Sequence, residues 1–174
     1  YNYCECVECT ALAEQEGSQM APVLQLVNQV AAAIEDEFPG KAIETLAYQY
    51  TRKAPKTMRP RPNVIIRLCS IECCFMHPLE TCDSEQNRAF REDTEEWAKI
   101  ADRLWVWDYM TSFRHFLVPF PNLRVRDDNI KFFIENNVTG IFEQDNYRSL
   151  NGEFNELSGY LTAKLLWNPD YGVD

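Results

Sequence analysis

Four charged side chains interrupt stretches of the chain that are otherwise rich in β-branched and aromatic residues. They are Glu44, Arg67, Asp108 and Glu143. A barrel strand that buries one face under helices must point a charged side chain to its other face, where the charge needs a partner. We therefore expect all four to share one face. Two carboxylates across one pocket can serve as an acid and as a base or nucleophile, which cleavage of a glycosidic bond requires. Asp108 and Glu143 are the candidate catalytic pair.

A structural interpretation of these charges also fits. In it Arg67 neutralises Glu44 within a buried ion-pair network, and no group reacts. Asp108 and Glu143 differ because each lies at the C-terminal end of a predicted strand, where the active sites of barrel enzymes are built. The sequence leaves both interpretations open.

Aromatic and polar side chains accompany the predicted strand ends. Tyrosines suit the lining of a site for hydroxyl-rich ligands, and amide, imidazole and guanidinium groups add hydrogen-bond partners. Trp105 and Trp107 alternate with Asp108, so we expect them to pack between strand and helix. The predicted substrate-binding residues are Tyr48, Tyr50, Arg67, Tyr109, His115 and Gln144.

The sequence carries no familiar cofactor or metal motif. It contains no glycine-rich phosphate loop, no Gly-x-Ser-x-Gly elbow and no paired CxxC zinc motif. His77 and His115 are the only histidines, which excludes a three-histidine metal site within the chain. We expect no cofactor and no metal.

The elements that position these residues alternate along the chain. Apolar residues at steps of three and four predict a helix over residues 19–37, closed by Phe38-Pro39-Gly40. Runs rich in β-branched and aromatic residues predict strands over residues 41–50, 63–72, 103–109 and 138–144. Further helices are predicted over residues 84–102, 127–136 and 153–166.

Strands that alternate with helices, with no hairpin signals between them, indicate an α/β fold with a parallel sheet. Short strands at regular spacing, followed by long loops, favour the C-terminal half of a TIM (β/α)8 barrel, with four parallel βα units in a single region over residues 1–174. A whole barrel needs about 250 residues, and half of one leaves open edge strands and an uncovered interior. We therefore expect a fragment that begins within a strand-to-helix loop and has the remainder of its parent chain as a partner.

Seven cysteines are too many for a typical reduced cytosolic protein, and six of them fall into two clusters. Disulfides in a secreted or extracellular protein, periplasmic if bacterial, are the favoured interpretation; the pairing is open, with Cys69 as the odd thiol. Zinc is the alternative, bound by the first cluster with His77 or a cysteine of the second as fourth ligand. The predicted disulfide cysteines are Cys4, Cys6, Cys9, Cys73, Cys74 and Cys82.

A glycosylation sequon gives further support to a secretory environment. Asn137-Val138-Thr139 would accept a glycan at Asn137 if the source is a eukaryotic secretory pathway.

The charge and hydropathy of the chain restrict the classes of partner that it can bind. Lys and Arg total 17 against 27 Asp and Glu, a net charge of −10, so the protein would repel a nucleic-acid backbone. No apolar run approaches the roughly 20 residues of a membrane helix. We expect no nucleic acid and no membrane span, and a neutral or sugar-like ligand fits the acidic, aromatic-rich composition better.

Several blocks of the chain resemble a known family. CECVEC and LVNQVAAAIEDEFPGKAIETLAYQYTRKAP are followed by NVIIRLCSIECCFMHPL, LWVWDYMTSFRHFLVPFPNL, NNVTGIFEQ and AKLLWNPD. Together they resemble the uncharacterised glycoside-hydrolase-like domain of secreted proteins that is related to the α-glucuronidase barrels. The resemblance extends over residues 1–174.

The resemblance implies a longer protein with an N-terminal α/β domain, the first half of the barrel, this segment and appended modules. In α-glucuronidases two carboxylates near the later strands hold the attacking water, and a glutamate on an earlier strand is the acid. Asp108 and Glu143 match the first pair by position, and the acid would precede Tyr1. The implied function is hydrolysis of glycosidic bonds in uronic-acid-containing or related glycans. The alternative is a non-catalytic extracellular glycan-binding or scaffold protein on the same barrel.

Overall fold

A computed structural model describes residues 3–171, which contain five α-helices and four strands. Short 3-10 turns at Gln49–Thr51 and Pro169–Tyr171 complete the described part. The elements are α1 (Val7–Glu16), α2 (Met20–Ile34), β1 (Ile43–Ala47), β2 (Val64–Cys69), α3 (Glu85–Ala98), β3 (Leu104–Tyr109), α4 (Arg126–Glu135), β4 (Val138–Gln144) and α5 (Asn155–Trp167).

The predicted strands and the four predicted helices are all present, most of them shorter than predicted. Helix α1 was missed, because we expected a loop where residues 7–16 form a helix. Only Ala13 and Glu16 of α1 are buried, so the helix has no apolar stripe that a sequence pattern would show. Its N-cap is Cys6, whose Sγ accepts a hydrogen bond from the Cys9 amide, and it ends at Gly17 with φ of 65°.

The four strands form one parallel sheet in the order β1-β2-β3-β4. Each strand therefore lies beside its neighbour in the chain, and the fold is α/β, as predicted. The register aligns Leu46 with Arg67, Arg67 with Trp105, and Trp105 with Gly140. Between Leu104 and Trp105 the partner on β4 jumps from Val138 to Gly140, so Thr139 is an extra residue in a β-bulge.

One face of the sheet, the helix-covered face, forms the core with α2, α3 and α4. Ile66 and Leu68 of β2 and Leu104 and Val106 of β3 are fully buried there. The helices contribute large apolar side chains, namely Met20, Leu24, Phe90, Trp97, Phe132 and Phe133. The opposite face, which we call the open face, stays accessible: Leu46 and Phe142 on it are 38% and 45% exposed.

Arg52 fixes the loop after β1 to helix α3. Its Nε donates to Asp93 at 2.6 Å, and its Nη1 donates to Glu72 at 2.9 Å. Its carbonyl oxygen accepts a hydrogen bond from Trp97 Nε1 at 2.7 Å. Because Arg52 is buried, both carboxylates balance a charge that has little access to water.

Glu16 fixes α1 to the proline-rich segment between β1 and β2. Its buried carboxylate accepts hydrogen bonds from the Thr57 hydroxyl, the Thr57 amide at 2.7 Å and the Met58 amide at 3.0 Å. These bonds favour the ionised form and lower the pKa of Glu16 below its ordinary value.

The helices of residues 3–171 are all too short or too polar to cross a membrane.

Candidate functional site

The two candidate catalytic carboxylates do not share a face with Arg67. Side chains alternate along a strand, and register partners in a parallel sheet lie on the same face. Arg67 aligns with Trp105, whereas Asp108 lies an odd number of residues further along β3 and aligns with Glu143. Asp108 and Glu143 therefore lie on the helix-covered face. The predicted orientation is wrong, and their catalytic role stays a prediction.

Burial perturbs both carboxyl groups. Asp108 is 5% exposed and accepts a hydrogen bond from the Ser70 hydroxyl. Its desolvation raises the pKa of Asp108 despite that bond and the nearby Arg126. Desolvation and the neighbouring Asp108 raise the pKa of Glu143 to about 8, against the opposing effect of Arg126. The Oε2 atom of Glu143 is buried and has no hydrogen-bond partner among the described residues.

Arg126, at the start of α4, is a cation that acts electrostatically on both carboxyl groups. Its Nη1 donates to the Ser158 carbonyl at 2.9 Å and to the Thr162 hydroxyl at 2.8 Å, and its Nη2 donates to Asn122 Oδ1 at 2.8 Å. Burial lowers the pKa of Arg126, while Glu143, Asp108 and Asp145 oppose that shift. Sequence reasoning missed Arg126, because nothing in its local pattern separates it from an exposed helix-start arginine.

A pocket of about 330 Å³ opens on the other side, at the carboxyl end of the open face. Trp107 lines this pocket: its ring stacks near that of Tyr109 with centroids 6.3 Å apart, and the ring of Phe142 lies 5.2 Å away. Its indole Nε1 donates to Gln144 Oε1 at 2.8 Å. The lining residues are Leu46, Tyr48, Cys69, Ile71, Trp107, Tyr109, Phe113, Gln144 and Tyr147.

The predicted packing of Trp105 and Trp107 is therefore wrong. Both indoles lie on the open face, because they alternate with the core residues Leu104 and Val106. A periodicity of two distributes a strand between two faces but does not say which face meets the helices. We expected Asp108 to point away from the helices, and that expectation assigned Trp105 and Trp107 to the helix-covered face of β3.

Of the six predicted substrate-binding residues, Tyr48, Tyr109 and Gln144 line the pocket. Partial burial raises the pKa of the Tyr109 hydroxyl, so it stays a hydrogen-bond donor at neutral and moderately alkaline pH. Phe113 and Tyr147 also line the pocket, and neither was among the predicted substrate-binding residues. Both come from loops after strands, and their aromatic character was the available signal.

Arg67 lies on the open face, nearer the amino end of the sheet. Its Nη2 forms an ion pair with Glu44 at 2.8 Å, as the structural interpretation predicts. Its guanidinium carbon lies 5.3 Å from the centre of the Trp105 ring, within the range of a cation–π contact. The Nε atom is buried and has no hydrogen-bond partner among residues 3–171.

The other two predicted residues lie outside the pocket. Tyr50 sits in the 3-10 turn after β1, with its ring 5.8 Å from that of Tyr3. His115 belongs to the loop after β3, where its Nδ1 accepts a hydrogen bond from the Leu117 amide at 3.3 Å. The structure does not bring either side chain to the pocket lining.

Comparison of the sequence with models of protein families identifies the family to which the chain belongs. The model described as a domain of unknown function, DUF4838, matches residues 1–174. The chain belongs to the DUF4838 family. Neither curated proteins nor solved structures give a significant match. Membership of the DUF4838 family therefore assigns no activity, and functional interpretation rests on the site itself.

All seven cysteines of the DUF4838 chain are free thiols in this structure, so the predicted disulfides are not formed in it. The thiols nevertheless converge. The sulfur atoms of Cys4, Cys6 and Cys9 lie within 4.8 Å of one another, at the start of α1. Cys73 is buried in the core, where desolvation raises its pKa, and Cys69 is buried in β2. Cys74 and Cys82 converge with His77 instead.

The predicted glycan acceptor is accessible. Asn137 is exposed in the turn between α4 and β4, with φ of 59°. Its amide donates to the Ile134 carbonyl at 3.1 Å, which helps to close the turn. Glycosylation of Asn137 stays a prediction.

Proposed function

We propose that the DUF4838 chain forms half of a glycoside-hydrolase-like (β/α)8 barrel and that the pocket at Trp107 binds a carbohydrate. The observation that carries the proposal is an aromatic pocket at the carboxyl end of parallel strands, on the face opposite to the one that α2, α3 and α4 cover. Strands that follow chain order and helices that cover one face also fit a barrel segment. The outer edges of β1 and β4, which no strand within residues 3–171 pairs, would then receive the remaining strands.

The pocket lining suits a sugar ring. Aromatic faces accept the apolar C–H face of a pyranose, and hydroxyl and amide groups at the rim bond its hydroxyls. Trp107 and Tyr109 supply neighbouring ring faces, and the hydrogen bond from Trp107 to Gln144 holds the indole in position. The side-chain amide nitrogen of Gln144 can then donate to a sugar hydroxyl.

Arg67 favours a glycan that contains uronic acid. It lies on the same face as Trp107, two residues before Cys69 of the pocket lining, which is roughly 7 Å along a strand. Its buried Nε has no partner within the described residues, so it retains a donor that a carboxylate could use. The ion pair to Glu44 already neutralises part of its charge, so an acidic sugar would compete with that glutamate.

Hydrolysis is the second candidate, and Glu143 is the specific observation in its favour. A carboxyl group with a pKa of about 8 is protonated at neutral pH, as a general acid must be. However, Asp108 and Glu143 lie on the opposite face of the sheet from the pocket lining. Binding is therefore the function that this geometry supports better, and catalytic groups at the pocket would come from elsewhere in the parent chain.

The binding proposal is tested on the full-length protein by calorimetry with uronic-acid-containing oligosaccharides. Trp107→Ala removes the largest aromatic ring of the lining and should weaken binding at least about tenfold, which corresponds to about 1.4 kcal/mol. Trp167→Ala is the matched control, because Trp167 is 91% exposed and lies in α5, away from the pocket. Equal affinities of the two variants, or no binding of any glycan by the wild type, would refute the proposal.

The hydrolysis candidate is tested by a glycan-library assay on the same protein with Asp108→Asn and Glu143→Gln. If these residues act in catalysis, each variant should lose orders of magnitude in rate and keep the affinity of the wild type. Cleavage that survives both substitutions would remove these residues from the mechanism. Absence of cleavage in the wild type would leave binding as the function.

A further inference from the structure

We propose that Cys74, His77 and Cys82 form a zinc-binding site in the loop after β2. Their ligand atoms all lie within 4.8 Å of one another. The Sγ of Cys74 is 3.3 Å from Nδ1 of His77. The three residues span only nine positions, with the spacing C-x2-H-x4-C. This spacing is not a paired CxxC motif, which is why the sequence did not predict a metal here.

The observed separations suit tetrahedral coordination. Zinc binds sulfur at about 2.3 Å and imidazole nitrogen at about 2.0–2.1 Å, so two such ligands at a tetrahedral angle lie about 3.5 Å apart. The distance between Cys74 and His77 is close to that value. Two thiolates and a neutral imidazole would balance the charge of a divalent zinc ion, which favours a partly buried site.

The surrounding loop is already fixed by hydrogen bonds. The amide of Cys74 donates to Oδ1 of Asn87 at 2.7 Å, and Nδ2 of Asn87 donates to the Cys74 carbonyl at 3.2 Å. Asn87 is completely buried in the first turn of α3. On the other side, the amide of Cys82 donates to the Pro78 carbonyl at 3.0 Å. The backbone therefore holds both thiols in place without help from a metal.

A fourth coordination position faces a concave region of about 460 Å³. Asp83 and Ser84 line this region beside the three ligands. Ser84 already serves as the N-cap of α3 and lies 3.4 Å from the Cys82 sulfur. The Asp83 carboxylate or a water molecule would complete the tetrahedron.

The metal would stabilise a loop that contacts the aromatic pocket. Phe75 lies between the first two ligands, and its ring centre is 4.9 Å from that of Phe120 and 6.2 Å from that of Tyr109. Tyr109 lines the pocket described above. We therefore assign the zinc a structural role, in which it fixes Phe75 against the pocket wall. The metal site itself does not depend on the identity of the pocket's ligand.

The experiment measures zinc and cobalt binding by the full-length protein after treatment with a chelator under reducing conditions. The background carries Cys4→Ser, Cys6→Ser and Cys9→Ser, so that the other thiol cluster cannot contribute. We expect one more equivalent of zinc in this background than in the same protein with C74S, H77A and C82S. With cobalt, the background protein should show a thiolate charge-transfer band that the protein with C74S, H77A and C82S lacks. Zinc should raise the Tm of the background protein only.

Single substitutions keep the test informative if the triple variant folds poorly. His77 is exposed, so His77→Ala should fold normally and still weaken zinc binding at least tenfold. Thr81→Ala is the matched control in the same loop and should bind as the parent does. Equal zinc binding by the two single variants would overturn the proposal. A disulfide between Cys74 and Cys82 would also overturn the proposal. It would be detected by intact mass and peptide mapping in protein that is purified without reductant and with zinc in every buffer.

Discussion

Asp108 and Glu143 are register partners at the carboxyl ends of β3 and β4, and both point to the helix-covered face of the sheet. Two carboxyl groups at neighbouring positions in a buried environment cannot both ionise without a large electrostatic cost. Desolvation and Asp108 together keep Glu143 protonated at neutral pH, with a pKa of about 8. The pair therefore makes stability sensitive to pH.

We expect Glu143→Gln to flatten the pH dependence of unfolding between pH 5 and 8. The folded protein holds the Glu143 proton up to about pH 8, whereas the unfolded chain releases it near the ordinary value of 4.5, so wild-type stability falls as pH rises through this range. The substituted amide would be neutral in both states. At pH 8 the free energy of unfolding of the variant should exceed that of the wild type by at least about 1.4 kcal/mol, the value of one pKa unit.

Urea unfolding at several pH values measures this effect. Glu135→Gln is the control, because Glu135 is exposed at the end of α4. If the free energy of unfolding changes with pH in parallel for the wild type and Glu143→Gln, Glu143 is ionised in the folded protein.

Glu16 should give the opposite pH dependence. Hydrogen bonds from Thr57 and Met58 lower its pKa, so its contribution is present above the ordinary value of 4.5 and is lost as pH falls through the folded-state pKa. Glu16→Gln should lower the free energy of unfolding by roughly 1.5–3 kcal/mol at pH 7, because a charged acceptor of several hydrogen bonds is lost. The deficit should shrink at low pH.

The control for this change is Glu14→Gln, on the exposed side of the same helix. A deficit that is independent of pH would mean that Glu16 acts through packing and not through its charge.

Arg52 should be the most sensitive charged residue in the loop after β1. Arg52→Met leaves the half-buried Asp93 carboxylate without its cation, and we expect a loss of about 2–4 kcal/mol in the free energy of unfolding. Adding Asp93→Asn should restore part of that loss, because the uncompensated charge disappears. Arg88→Met, at an exposed position of α3, is the comparison. Equal stability of the two arginine variants in urea would contradict the prediction.

Gly140 should resist substitution by alanine. A Cβ at this position would lie 2.7 Å from the Trp105 indole, a ring that also contacts the Arg67 guanidinium. Gly140→Ala must displace the ring, and we expect a loss of about 1–3 kcal/mol together with a change in tryptophan fluorescence.

Gly159→Ala provides the matched comparison, because a Cβ there meets nothing within 4 Å in helix α5. It should raise stability by roughly 0.5–1 kcal/mol, the usual difference between glycine and alanine in a helix. Gly140→Ala with unchanged stability would show that Trp105 moves without cost.

The secondary structure was largely predictable because most elements carry a strong local pattern. Residues 64–69 are β-branched or apolar except for Arg67, and the exposed and buried sides of α3 alternate at helical spacing. Helix α1 was not predictable in this way, because its main anchor is the buried carboxylate of Glu16 and not an apolar stripe. A carboxylate that binds distant backbone amides leaves no local signal.

The site was predictable in residue type but not in orientation. Tyr48, Tyr109 and Gln144 were predicted from their places at strand ends, and they do line the pocket. Asp108 was assigned to the wrong face because a charged residue was expected to avoid the helices. The tertiary contact with Ser70 and the neighbouring Arg126 make a buried carboxyl tolerable, and both partners are distant in sequence.

The bulge at Thr139 sets which face of β4 each later residue of the strand occupies. If β4 continued from the pair of Val138 and Leu104 without a bulge, Tyr109 would align with Glu143 and not with Gln144, so the pocket wall would present a carboxyl group in place of an amide. Ile141 would leave the core in the same step. Pairing without the bulge therefore exchanges the two faces of β4, and it can convert a neutral recognition surface into an acidic one without any change in the amino-acid sequence.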